Sequence, residues 1–137
     1  MDDLIAVPAG LNGVAVAETA IGTVHGDEGF YHYREYDATE LARSVGFEDA
    51  WYLLDRGTLP TPDERDVFRR EIASLRSVPA ALSPLVAEVA RIGGAPLARL
   101  RSVLSAAAEP LGLAPLLDLE PAERRVQAIG LAAMVPA

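Results

Sequence analysis

The sequence predicts a mainly α fold, in which a helical domain carries a small N-terminal antiparallel β-hairpin unit. Two observations predict this fold class. Residues 1–36 place β-favouring side chains in partial alternation with small or polar ones. From residue 37 onward, apolar residues recur at helical spacing, and prolines and glycines divide them into segments. The 137 residues fit one domain, which we divide into an N-terminal segment, 1–36, and a helical portion, 37–137.

The β-hairpin unit is predicted between about Val14 and Arg34. The run His25–Gly29 is typical of a tight turn, because its two glycines permit positive φ angles. The strand after the turn alternates between two faces, with Phe30, His32 and Arg34 on one and Tyr31 and Tyr33 on the other. A hairpin alone is marginally stable in water, so we expect this unit to pack against a larger structure.

Six helices are predicted from the spacing of apolar residues and from the capping residues, prolines and glycines that divide the segments. Asp37 is a good N-cap for the first, Gly57 ends the second, and Thr61 with Pro62 opens the third. Ser83 is the predicted cap of the fourth. The predicted ranges are 38–44, 47–56, 62 to before Pro79, 84–92, 96 to about 108, and about 120 to the C-terminus, with a proline-broken link between Pro110 and Pro115.

Each helix carries a stripe of apolar residues that we expect to be buried. The last helix differs because it is apolar on nearly all sides, and such a helix is expected to be buried all round. The predicted inward residues are Phe47, Ala50, Trp51 and Leu54; Phe68, Ile72 and Leu75; Leu85, Val86 and Val89; Leu97, Leu100, Leu104 and Ala107; and, in the last helix, Val126, Ile129, Leu131, Ala133 and Met134.

The composition excludes several classes of site. The absence of cysteine removes disulfides, thiolate metal sites and cysteine nucleophiles, and all twelve basic residues are arginine, which removes a lysine Schiff base and a phosphate-loop lysine. A net charge of −8 disfavours nucleic-acid binding. Without a long apolar run we expect no membrane span and no signal peptide, and the cytoplasm is the expected location.

The two histidines, His25 and His32, are candidates for a metal site across the predicted turn. Two imidazoles need a third ligand, which Asp27 or Glu28 would have to supply. Packing of the histidines within the hairpin is the favoured interpretation. The glycines of Gly22–Gly29 lack the spacing of a dinucleotide or phosphate loop, and a hairpin turn is again favoured.

Three other groups invite a functional interpretation, and each has a plainer alternative. The acids Asp63, Glu64 and Asp66 fit ordinary helix-dipole electrostatics better than a metal or acid–base role. Trp51 and Tyr52 could stack on a ligand, but Trp51 has the spacing of a core residue. Six arginines could bind an anion, but a solvated face is the favoured interpretation. They are Arg65, Arg69, Arg70, Arg91, Arg99 and Arg101. We therefore predict no catalytic, cofactor-binding or metal-binding residue in this chain.

Several runs of residues resemble the citrate synthase family, in the same order and spacing over Gly10 to Glu64. The sequence departs from the family's pattern at two positions: Glu35 stands where the family has glycine, and Met134 stands where it has lysine. From Asp66 to Pro115 the resemblance is mainly one of helical pattern. The matching runs are Gly10–Val14, Glu18–Ile21, Tyr33–Ala42, Gly46–Glu64 and, at the end, Gly130–Ala137.

The resemblance implies the N-terminal portion of the family's large helical domain, of the citrate or the 2-methylcitrate synthase type. It implies an acyltransferase of the tricarboxylic acid cycle type that condenses acetyl-CoA, or propionyl-CoA, with oxaloacetate. No residue here matches the family's motifs for its catalytic histidines and aspartate or for the substrates. It thus implies a scaffold and dimer role, in a homo-oligomer or with a citrate-synthase-like partner subunit, with acetyl-CoA a substrate of the complete enzyme.

Two alternatives remain open. One is a stand-alone, non-catalytic helical regulatory or interaction module derived from the same family. The other is a small-anion sensor that uses the arginines.

Overall fold

The computed structural model describes residues 8–11, 13–15 and 17–137, which form a mainly helical chain with a small antiparallel sheet, as predicted. The strands are β1 (Gly22–His25), β2 (Phe30–Tyr33) and β3 (Tyr36–Asp37). The helices are α1 (Ala38–Ser44), α2 (Phe47–Arg56), α3 (Pro62–Leu75), α4 (Ser83–Ile92), α5 (Pro96–Ala106), α6 (Ala108–Leu111) and α7 (Pro121–Met134). One-turn 3₁₀ helices occur at Ala9–Leu11, Ala80–Leu82 and Leu116–Asp118. The chain forms two compact units, the first ending at Arg65 and the second spanning Asp66–Ala137.

The sheet of the first unit has the order β1-β2-β3, with both pairs antiparallel. The prediction that the β unit begins near Val14 is wrong, because the first strand begins at Gly22. Position 16 of the predicted range lies outside the described residues. A local bond explains the late start. The hydroxyl of Thr19 accepts a hydrogen bond from the amide of Ile21 at 3.2 Å, which bends the backbone before the ladder begins.

The helices of the first unit begin and end as predicted, but α2 buries a different face. Asp37 caps α1 by accepting hydrogen bonds from two backbone amides at 2.8 and 2.9 Å. In α2 the most buried residues are Leu53 and Asp49, whereas Phe47, predicted to face the core, is 74% exposed. The expectation of an inward apolar stripe is wrong for Phe47, whereas Ala50, Trp51 and Leu54 are half-buried. The most buried face also carries the charge of Asp49, which is paired as described below.

The second unit has a core cluster of Leu82, Ala107 and Met134, against which Leu85, Leu104 and Leu131 pack. Ser83 is the first residue of α4 instead of its cap, because the 3₁₀ turn before it runs directly into the helix. The predicted link at Pro110 is helical, since Pro110 stands in the first turn of α6, where no intrahelical amide bond is required.

Several predicted core residues of this unit lie at the surface. Val126 of α7 is 64% exposed, Leu97 of α5 is 77% exposed, and Leu75 and Val86 are also exposed. The expectation that α7 is buried on all sides is therefore wrong within this chain, where only Ile129, Ala133 and Met134 of that helix are buried. The second unit therefore leaves several large apolar side chains of its helices in contact with solvent.

Among the described helices, none is by itself both long and apolar enough to cross a membrane. Only a bent pair, Pro62–Leu75 with Ala80–Ile92, meets the length and composition requirement when the two helices are counted together.

Candidate functional site

The hairpin brings the two histidines together through aromatic packing. His25 lies opposite Phe30 in the β1–β2 register, and their rings stack with centroids 4.4 Å apart. The ring of His32 approaches that of His25 edge-on, at 5.6 Å between centroids. Among the described residues, no group of three or more His, Cys, Asp or Glu side chains could hold a metal ion. The contacts of both histidines thus agree with the interpretation of packing within the hairpin.

The segment Gly22–Gly29 contains the predicted hairpin turn. The amide of Gly29 donates to the carbonyl of His25 at 2.9 Å and closes the turn. Gly22 is needed for another reason, since a Cβ at this position would overlap the carbonyl oxygen of His32 on the paired strand. Gly29 therefore serves the turn, and Gly22 serves the close pairing of the strands.

Arg34 ties the hairpin to the end of α2, a role that the sequence analysis did not identify. Its two Nη atoms donate to the carbonyls of Ala20 and Leu54, each at 2.8 Å. Leu54 lies in the last turn of α2, where carbonyls lack intrahelical partners and a cation is favourable. Arg34 also adopts a φ of 55°, unusual for a residue other than glycine. The guanidinium thus joins two elements that local hydrogen bonding would leave apart.

A buried ion pair joins α2 to the first turn of α3. The Nε of Arg65 donates to the Oδ1 of Asp49 at 2.8 Å, and the Asp49 side chain is only 5% exposed. A carboxylate so far removed from water requires a charged or hydrogen-bonding partner. The sequence analysis placed Arg65 among possible anion-gripping residues and gave Asp49 no role. In the structure Arg65 is a structural cation.

Glu64, one of the three acids considered as a carboxylate site, belongs to the N-terminal cap of α3. Its Oε2 accepts hydrogen bonds from the amide of Thr61 at 2.9 Å and from the Thr61 hydroxyl at 2.8 Å. These bonds lower the pKa of Glu64 below its usual value, and a further bond from the Tyr52 hydroxyl adds to the effect. Desolvation, followed by the charge of Glu64, raises the pKa of Tyr52. These shifts accompany a helix cap. The sequence analysis favoured helix-dipole electrostatics for this acid, and its place in the first turn of α3 agrees with that interpretation.

The aromatic residues of α2 do not form a stacked ligand platform. Trp51 is half-buried and contacts Phe47, with ring centroids 6.1 Å apart and tilted by 58°. The guanidinium of Arg56 lies 6.0 Å from the centroid of Tyr52. The pair Trp51 and Tyr52 is thus divided between two sets of contacts along the helix.

In the second unit, the candidate arginines differ in their pairing. Arg91 donates from Nε to Glu88 at 2.9 Å on the surface of α4. By contrast, the Nε of Arg99 is buried and has no hydrogen-bond partner among the described residues. Arg99 lines an apolar groove of about 290 Å³ between α4, α5 and the end of α7.

Comparison with known proteins places these features in a family. The family model described as the C-terminal domain of citrate synthase matches residues 10–137. Citrate synthase from Haloferax volcanii is 39% identical over 97 residues, which make up 71% of this chain and 26% of that protein. A 2-methylcitrate synthase from Shewanella oneidensis is 33% identical over 81 residues, covering 59% of this chain and 22% of that protein.

The fold agrees with the sequence comparison. The crystal structure of citrate synthase from Thermotoga maritima matches with a TM-score of 0.64 and 31% identity, over 90% of this chain and 30% of that one. The chain spans about a quarter of the length of the curated relatives it matches. Since the family model covers nearly the whole sequence and the fold agrees with it, the chain belongs to the citrate synthase family.

Proposed function

We propose that this chain supplies scaffold and dimer contacts to a citrate-synthase-type acyltransferase, and that the catalytic residues lie outside the part of the family it matches. The reaction of the complete enzyme would remove a proton beside the thioester carbonyl of acetyl-CoA or propionyl-CoA. The resulting carbanion adds to the ketone of oxaloacetate, and water then cleaves the thioester to release the CoA thiol. The observation that carries this proposal is a family match over residues 10–137 that spans only about a quarter of the relatives.

The polar contacts of the first unit support a structural role. Two sets of side chains there hold elements together: Arg34, which follows β2, bonds to the end of α2, and Asp49 with Arg65 joins α2 to α3. Glu64 completes a helix cap. Each of these groups is engaged by a bond within the unit, which fits a scaffold better than a reacting centre.

The second unit supports the expectation of an oligomer or a partner subunit. Leu97 of α5 is 77% exposed and Val126 of α7 is 64% exposed. Large apolar side chains left in contact with solvent are common at interaction surfaces. A homo-oligomer and a separate citrate-synthase-like subunit both fit this surface.

The proposal is tested by purifying the chain and measuring its molar mass in solution and the release of thiol from acetyl-CoA or propionyl-CoA with oxaloacetate. We expect no thiol release from the chain alone. We expect activity only together with a family chain that supplies the remaining length. Turnover by the isolated chain would refute the scaffold role, because a complete active site would then reside in it.

The molar mass tests one of the two alternatives, the stand-alone module. A well-folded monomer with no affinity for other family chains would favour a stand-alone regulatory or interaction module. Association with a family chain, or self-association, supports the scaffold role.

A further inference from the structure

One face of the small sheet is built from aromatic side chains. In the register of β1 with β2, Val24 lies opposite Tyr31, and in the register of β2 with β3, Tyr33 lies opposite Tyr36. Because alternate residues of a strand point the same way, these four side chains share one face of the sheet, the tyrosine face. All four are exposed, with Tyr31 at 45% and Tyr36 at 40%. Three tyrosine rings thus stand close together on one side of the hairpin unit.

The tyrosine rings are arranged so that they can attract a cation. The rings of Tyr31 and Tyr33 meet edge to face, with centroids 5.5 Å apart and planes inclined by 76°. The face of an aromatic ring is electron-rich, and a cation placed over it is attracted by the ring quadrupole. A cation that is itself planar and partly apolar gains most from such a surface, because it also makes van der Waals contact with the ring.

The charges around the sheet have the sign that attracts a cation. Between residues 18 and 40 the sequence has six acids and one base, Arg34. The guanidinium of Arg34 already donates to the carbonyls of Ala20 and Leu54. Glu35 follows it in the turn that joins the two strands carrying the tyrosines, and it is exposed. A cation on the tyrosine face would therefore also lie in a negative electrostatic potential.

Arginine is the cation whose chemistry fits this surface best. Its guanidinium is planar and weakly hydrated, so it can stack on an aromatic ring and donate in-plane hydrogen bonds to a carboxylate at the same time. Tyrosine and arginine are both enriched at protein–protein interfaces. A second copy of this chain is disfavoured as the source of the arginine, because two chains with a net charge of −8 repel each other. The charges therefore favour a basic partner.

We propose that the tyrosine face binds an extended, arginine-bearing segment of a basic partner protein. One guanidinium stacks on a tyrosine ring and pairs with the carboxylate of Glu35. Tyr31 and Tyr33 are separated by about 7 Å along β2, which is also the spacing of alternate side chains in an extended peptide. A second arginine two positions along the segment therefore reaches the neighbouring ring. This interaction goes beyond the proposed scaffold function and does not depend on it.

The test titrates the isotope-labelled chain with a glycine peptide that carries arginines at alternate positions, and follows its amide resonances by NMR. A citrulline peptide of the same shape lacks the charge, and a lysine peptide keeps the charge without the planar group. Tyr33→Leu removes one ring but keeps an apolar side chain. Glu35→Gln removes the charge beside the tyrosine face, and Glu109→Gln makes the same change of net charge at an exposed position of the second unit.

We expect millimolar binding of the arginine peptide, with amide shifts centred on β2 and β3. Affinity should fall about tenfold for the citrulline peptide, which loses both the ring contact and the ion pair. It should fall about threefold for the lysine peptide, for Tyr33→Leu and for Glu35→Gln, because each of these changes removes one weak exposed interaction. Glu109→Gln should change the affinity by less than about twofold.

Four results would overturn the proposal. They are an absence of shifts at about 10 mM arginine peptide, equal binding of the arginine and citrulline peptides, shifts centred outside the sheet, and equal effects of Glu35→Gln and Glu109→Gln. Self-association of the chain that is lost in Tyr33→Leu would identify a second copy as the source of the arginine, and would overturn the basic partner. If Tyr33→Leu fails to fold, Tyr31→Leu replaces it, and the three peptides on the unmodified chain still decide the matter. The scaffold function is tested separately, by thiol release.

Discussion

Replacement of Arg65 by methionine should destabilise the first unit by leaving the carboxylate of Asp49 buried without its cation. The bond between the Arg65 Nε and the Asp49 Oδ1 is 2.8 Å long, and the Asp49 side chain is 5% exposed. Arginine and methionine have similar helix propensities, so the change does not weaken α3 by itself. The effect measured is therefore that of the lost partner.

The magnitude follows from the burial of the two groups. Breaking a fully buried ion pair by removing one partner costs about 3–5 kcal/mol. The Arg65 side chain is 36% exposed, so solvent screens part of the interaction. Asp49 also lies in the first turn of α2, where the helix dipole stabilises a negative charge. Both effects reduce the expected loss to about 2 kcal/mol.

The assay is urea unfolding followed by the fluorescence of Trp51, the only tryptophan, which lies on α2 itself. With a slope of about 2 kcal/mol/M, the midpoint of Arg65→Met should fall by about 1 M. Arg70→Met, at an exposed position of the same helix, should change stability by less than about 0.5 kcal/mol. Combining Arg65→Met with Asp49→Asn should recover part of the loss, because the buried charge is then removed.

Equal midpoints for Arg65→Met and Arg70→Met would refute this reasoning. So would a double variant that is no more stable than Arg65→Met. Either result would mean that the carboxylate is sufficiently stabilised without Arg65.

Three further outcomes are expected. Gly22→Ala should destabilise the hairpin by about 1–3 kcal/mol through overlap with the paired strand, whereas Gly26→Ala, with open space around its Cβ, should be nearly neutral in the same urea titration. The pKa of Glu64 is lowered from 4.5, so its stabilising contribution is present above that pH and is lost as the pH falls through the folded-state pKa. The free energy of unfolding should therefore fall more steeply below pH 4.5 in the unmodified chain than in Glu64→Gln. Equal acid titrations of the two proteins would contradict this. Met134→Ala should lower the free energy of unfolding by about 2 kcal/mol because Met134 is 4% exposed. Val126→Ala, at a position 64% exposed, should lower it by less than about 0.5 kcal/mol. Similar shifts of the melting temperature for the two variants would show that the cluster around Met134 is not a core.

The limits of α1 and α2 could be predicted because they depend on local chemistry. Asp37 accepts from the free amides at the start of α1, and Gly57 adopts a φ of 91° at the end of α2. Both requirements concern a few neighbouring residues, which the sequence shows directly. The same holds for the turn of the hairpin and the cap at Thr61.

Burial was predicted less well, because it depends on what packs against each face. The spacing on α2 indicated Phe47 as a core residue, yet the structure exposes it and buries Asp49. Periodicity counts apolar positions and cannot show that a carboxylate is paired sixteen residues further along the chain. Arg34 was missed for the same reason, since Leu54 is twenty residues away.

By itself, the sequence determined the fold class, the positions of every α-helix except the short α6, and the resemblance to citrate synthases that the comparisons confirm. These depend on local propensity and on the order of motifs, both of which are written along the chain. Only the tertiary structure decided which faces are buried, which charges are paired, and that the Nε of Arg99 is buried without a hydrogen-bond partner in the described part of the chain. Those properties arise when residues distant in sequence come into contact, and burial then sets the free energy of each charge and each apolar side chain.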